Sequence, residues 1–133
     1  MPPEPQHVVV ARKWLRYAEA DLAVARSPLP EDGLLELWGF HAQQAAEKAL
    51  KAVLITLQVE FPRSHNIEYL IGLLPSSLAR TDALAQAYVL TAYATVYRYP
   101  GDVEAVTEDD YQRLLGIAEC VVTWAMTVIE QLG

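Results

Sequence analysis

A chain of 133 residues, 53% of them hydrophobic, is the size of one domain with a real core, and its apolar content is somewhat above that of a typical soluble domain. A formal net charge of −7 argues against non-specific nucleic-acid binding, which draws on basic surface, while leaving room for a local basic patch. No uninterrupted apolar run reaches the ~18 residues that cross a bilayer, the N-terminus MPPEPQHVVVARK lacks the order of a signal peptide, and the single Cys120 rules out an internal disulfide or a cysteine metal cluster; a cytoplasmic protein with no membrane partner is expected.

Five helices and no strand are predicted, in one domain spanning 1–133. Residues 1–7, with three prolines, read as a loose tail. The first helix spans about Val8 to Arg26, with Trp14, Ala18, Leu22 and Ala25 at helical spacing. SPLPEDG, Ser27 to Gly33, ends it. The second spans about Leu34 to Gln58. After the tight connection FPRSH, Ser64 is the expected cap of a short third helix ending near Pro75. The fourth spans about Asp82 to Tyr97, and YPGDVEAV, Tyr99 to Val106, breaks the pattern. The fifth starts at Thr107, where Thr107 and Asp110 resemble a capping box, and runs to about Gln131. Its apolar stripe is Leu114, Ile117, Val121, Ala125 and Val128, and Cys120 in AECVVTW reads as a buried, inert thiol. Short connections between long helices make antiparallel neighbours. The fold class is all-α: an up-and-down four- or five-helix bundle with one short inserted helix.

The second helix contains FHAQQAAEKALKAVL, Phe40 to Leu54, with two of the three lysines in the chain. At about 100° per residue, its alanines and leucines form a wide arc for the core. His41, Gln44, Lys48 and Lys51 fall within about 80° of one another, nearly opposite that arc. They spread over roughly 15 Å of helix axis, so they make a stripe and not a compact catalytic cluster. Leu34, Leu37 and Ile55 share the stripe, with Phe40 at its edge. A mixed face of this kind suits a subunit or partner interface; the same pattern also fits a structural histidine beside solvated lysines. The apolar content of so small an acidic chain likewise points to apolar surface covered between subunits.

Signatures of chemistry are sparse. The chain has no phosphate-binding glycine loop, no nucleophile elbow and no closely spaced histidine pair, so no cofactor and no metal are expected. Arg63, Ser64 and His65 stand at a turn that opens a helix, a place to hold a phosphate or simply to cap the helix. Tyr97, Arg98 and Tyr99 combine a phosphate partner with stacking rings, or form a packed helix end.

Taken in order, WLRYAEADLAVA (Trp14 to Ala25), FHAQQAAEKALKA (Phe40 to Ala52), FPRSH (Phe61 to His65) and RYP (Arg98 to Pro100) resemble the HEPN domain, over about Lys13 to Glu130. The name denotes a domain of higher eukaryotes and prokaryotes held to bind nucleotides. The resemblance implies an up-and-down bundle, usually homodimeric. It also implies a partner, a small nucleotidyltransferase, in systems some of which act as toxin and antitoxin. The ribonuclease branch of the family carries an arginine, then four to six residues, then a histidine, the two meeting across the dimer. No arginine of this chain has a histidine at that distance. The expected function is therefore a non-nuclease interaction and nucleotide-binding module. Candidate nucleotide- or partner-binding residues are His41, Gln44, Lys48, Lys51, Arg63, His65, Arg98 and Tyr99, with no catalytic residue assigned. The alternative is a divergent metal-independent endoribonuclease acting on RNA through Arg98 and a histidine at the dimer interface.

Overall fold

A computed structural model describes residues 3–31, 34–93 and 106–132. It contains α1 (Gln6–Arg26), α2 (Leu35–Thr56), α3 (Ile67–Gly72), α4 (Asp82–Gln86), which continues as a 3-10 segment (Ala87–Tyr93), and α5 (Glu108–Leu132). No strand occurs among the described residues. The all-α class and the bundle are as the sequence pattern requires. α1 begins earlier than expected, with Pro5 at its N-cap, so Gln6 and His7 of the expected tail are helical. The end of the expected fourth helix and the break after it lie outside the described residues. What is described of the fourth helix is a short α-helix followed by 3-10 turns.

α1 and α2 pair as an antiparallel hairpin, and α2 also packs on α5. Side-chain bonds pin the hairpin: the Trp38 indole donates to the Ser27 carbonyl at 3.0 Å at one end, and Lys51 Nζ lies 5.7 Å from the Trp14 ring centre at the other. α5 runs antiparallel to α1. Its first turn meets the end of α1, where the Tyr111 hydroxyl donates to the Ala25 carbonyl. Burial pushes the Tyr111 phenol up to about 12, with Glu108 adding to the effect. Arg26 and Glu119 form an ion pair at 2.7 Å farther along.

The core is one cluster, built on α2 and closed by α1, α3, the 3-10 segment and α5. Ala42, Ala45, Ala46, Ala49 and Ala52 are fully buried. Small side chains at these positions let neighbouring helices approach closely and leave Leu50, Leu54 and Val53 to fill the remaining space. Gly39 belongs to the same logic. A Cβ there would stand 2.8 Å from Tyr93 Cδ1, so the ring seats directly on the α2 backbone. α5 is long and apolar enough by length and composition to cross a membrane, but 56% of its most apolar window is buried in the bundle. Most of its apolar residues belong to the core, with Met126 and Leu132 exposed.

The caps match part of the expected punctuation. Thr107 Oγ1 accepts from the Asp110 amide at 3.1 Å, starting α5. The cap of α3 is Asn66 and not Ser64: Asn66 Oδ1 accepts from the Tyr69 amide at 3.0 Å. Ser64 acts one step earlier, its hydroxyl accepting from the Asn66 amide at 3.1 Å. At the end of α2, Gln58 takes φ 57°, the left-handed conformation that closes a helix. The Val59 amide reaches back to the Leu54 carbonyl at 2.9 Å.

Candidate functional site: two lysine-clamped carboxylate–histidine pairs on α2

The candidate residues on α2 do not form one solvated stripe. They divide between two carboxylates, neither of which stands out in the sequence. Asp21 of α1 lies against the flank of α2. Its Oδ1 is 3.1 Å from His41 Nδ1, and its Oδ2 accepts from Lys48 Nζ at 2.6 Å. His41 and Lys48 are seven residues apart, two turns, so one carboxylate can bridge them. The bonds lock α1 to α2.

The second carboxylate is Glu47, on α2 itself. Its Oε2 accepts from Lys51 Nζ at 3.0 Å. Its Oε1 accepts from Gln43 Nε2 at 3.0 Å and lies 2.9 Å from His65 Nδ1. Gln43 Nε2 also donates to the His65 carbonyl at 3.2 Å, and Gln44 donates to Gln43 Oε1 at 2.7 Å. The ion pair is deep: the Lys51 and Glu47 side chains are 8% and 3% exposed. Lys51 is therefore no part of a solvated face. The Phe61 ring lies 5.9 Å from its ammonium, the Trp14 ring also lies close, and the two rings sheathe the charge. A buried charge survives only when paired and hydrogen-bonded, and here every oxygen of Glu47 is engaged. Among the described residues no buried side-chain polar atom lacks a partner.

The 100° rule misses this because α2 is covered on three sides. α1 takes one flank, α5 another, and the FPRSH segment a third. Periodicity ranks faces by polarity; it cannot see a loop folding back over one of them. A hint is present in the sequence: Glu47 and Lys51 are four residues apart in the orientation that pairs well on a helix, amid alanines.

FPRSH does come to the same helix, so His65 joins the α2 residues as a neighbour. Arg63 is exposed and makes no hydrogen bond or ion pair among the described residues. Arg98 and Tyr99 lie outside the described residues. Cys120 is exposed, not buried. It lines a cavity of about 560 Å³ with Arg26, Asp82, Glu119 and Trp124, at the edge of the α5 apolar stripe. No group of three or more metal-ligating side chains occurs among the described residues.

Around the Asp21 triad lies a mixed surface. Tyr17, Asp21 and Val24 share a face of α1, and Leu37, His41 and Lys48 share one of α2, with Leu34 at its N-cap. Because Asp21 bonds to both His41 and Lys48, these two faces meet in a single seam. Tyr17, Val24, Leu34 and Leu37 are all exposed along it.

The match to a family model settles the lineage. The model for the HEPN domain covers residues 11–129. The chain belongs to the HEPN domain family. Among solved structures, an archaeal HEPN homologue, ST0689, is 31% identical, with a TM-score of 0.71 over 90% of this chain and 97% of that one. TT1696 from Thermus thermophilus is 28% identical, with a TM-score of 0.73 over 89% and 97% of the two chains. No curated protein matches. The matched region of this HEPN chain contains both lysine-clamped pairs, the seam and the FPRSH segment.

Proposed function

We propose that this HEPN chain is a homodimeric interaction and nucleotide-binding module without nuclease chemistry, pairing with a small nucleotidyltransferase in a toxin–antitoxin-like system. The observation that carries the interaction reading is the α1–α2 seam. Tyr17, Val24, Leu34 and Leu37 stand exposed beside a fixed polar triad. Apolar anchors give binding energy, and oriented polar groups fix register. The absent arginine–histidine spacing supports the non-nuclease part.

Nucleotide binding falls to fewer residues than the sequence offers. Asp21 and Glu47 already neutralise Lys48 and Lys51, so neither lysine is a free phosphate partner. Among the described candidates, Arg63 is an exposed cation without an ion pair, open to a phosphate, with His65 beside it. The test has two arms. Tagged protein captured from its native cells is expected to retain a nucleotidyltransferase in stoichiometric amount; recovery of the chain alone contradicts the partner. Titration with nucleotides is expected to show binding that Arg63→Ala weakens; equal affinity in both proteins removes Arg63 from the site.

One feature favours the second reading, a divergent endoribonuclease using Arg98 with His41 or His65. Each imidazole has Nδ1 against a carboxylate, an arrangement that orients a general base. RNA cleavage that Arg98→Ala abolishes is the outcome this reading requires.

A further inference from the structure

The segment between Val59 and Asn66 is attached in an unusual way. Among the described residues no main-chain-to-main-chain hydrogen bond joins residues 60–65 to the rest of the molecule. Such bonds stop at the Val59 amide on one side and resume at the Asn66 carbonyl on the other. Apart from the Ser64 hydroxyl at its end, which accepts from the Asn66 amide, and the packing of Phe61 on the core, the segment is held by three side-chain contacts to one patch of α2. The His65 ring meets Glu47 at 2.9 Å. Gln43 donates to the His65 carbonyl at 3.2 Å. The Phe61 ring covers the Lys51 ammonium at 5.9 Å. Beneath these contacts lies the buried Glu47–Lys51 pair.

The contacts differ in how firmly solvent can compete for them. Glu47 is 3% exposed while the His65 side chain is 66% exposed, so water reaches one partner of the main fastening. One end of the segment leaves α2 through Gln58, a non-glycine residue in the left-handed region, where a side chain crowds its own backbone. A segment with few main-chain bonds, an exposed fastening and a strained exit belongs to the low-stability end of a fold.

We propose that residues 60–65 form a strap that opens locally, without unfolding of the bundle, and controls access to the buried Glu47–Lys51 pair. His65 is its catch: a positioning residue that acts through Glu47. The strap turns a lysine and a carboxylate from core groups into surface groups. It is a device of the fold that needs no partner; it shares Arg63 and His65 with the nucleotide-binding reading, but its test reads the Lys51 amine and not nucleotide affinity.

The three lysines make the test direct. Lys13 is exposed, Lys48 is half-buried and Lys51 is buried, so residue-resolved amine labelling followed by mass spectrometry reads each environment. His65→Ala is expected to speed modification of Lys51 by about tenfold, the opening shift for one lost hydrogen bond to a charged group, with Lys13 unchanged. His65→Asn, which keeps a donor near the Nδ1 position, is expected to restore the slow rate. An unchanged Lys51 rate in His65→Ala overturns the proposal. If His65→Ala does not fold, wild-type labelling is followed through low urea concentrations. A local strap gives a Lys51 rate nearly independent of urea, whereas a rate that climbs with the global unfolding slope overturns it.

Discussion

Asp21 and Glu47 do the same chemical job in different surroundings, and the surroundings set what each is worth. Glu47 is buried with Lys51, so its removal leaves a cation stranded in the core. Glu47→Ala is expected to cost about 3–5 kcal/mol of stability. Asp21 holds His41 and Lys48 nearer the surface, where water can take over as partner. Asp21→Ala is expected to cost only about 1 kcal/mol. Urea unfolding of the two variants checks the difference, and equal losses would contradict the contrast in burial. Tyr111 adds a pH dependence of opposite origin. Its folded pKa, raised to about 12, lies above the usual phenol value of 10.0. Between those values the unfolded chain loses a proton that the folded chain keeps. The unfolded state is thereby favoured, and stability falls as pH rises through this window, by at most about 1.4 kcal/mol per pH unit. Below that window the contribution is fully present. Tyr111→Phe is expected to flatten that part of the stability profile, as thermal melts between about pH 9 and about pH 12 can establish.

At the level of elements, close approach is what α2 is built for. Gly39 carries the clearest consequence, because a methyl group there collides with the Tyr93 ring. Gly39→Ala is expected to destabilise by about 1–3 kcal/mol despite the better helix propensity of alanine, since overpacking outweighs it. A neutral or stabilising result in urea unfolding would show that the Tyr93 ring shifts to accommodate the methyl group. The helices themselves are legible in the sequence, because α1, α2 and α5 repeat apolar residues at helical spacing and α1 ends at the Pro- and Gly-rich SPLPEDG. The site is legible only in part. Spacing puts His41 and Lys48 on the right flank of α2, but Asp21 is hidden among alanines on another helix. Lys51 escapes a helix wheel because the wheel cannot show the FPRSH segment closing over it. Cys120 escapes it for the converse reason: an apolar neighbourhood in sequence still leaves one edge of a helix facing outward.

For the whole molecule, the α1–α2 seam is what the proposed homodimer rests on. A bundle that already buries one continuous core has no internal use for Tyr17, Val24, Leu34 and Leu37 at its surface. The Asp21 triad holds the two helix faces in fixed register, which a self-complementary contact needs. The measurement that tests the homodimer most directly is sedimentation equilibrium of the wild-type chain beside Leu37→Asp at micromolar concentration. Leu37 is exposed, so the substitution leaves the core intact. A self-associating seam predicts a wild-type mass of twice 14.8 kDa and a variant of 14.8 kDa. A wild-type chain that stays at 14.8 kDa throughout, or a Leu37→Asp variant that associates as tightly as wild type, would contradict it.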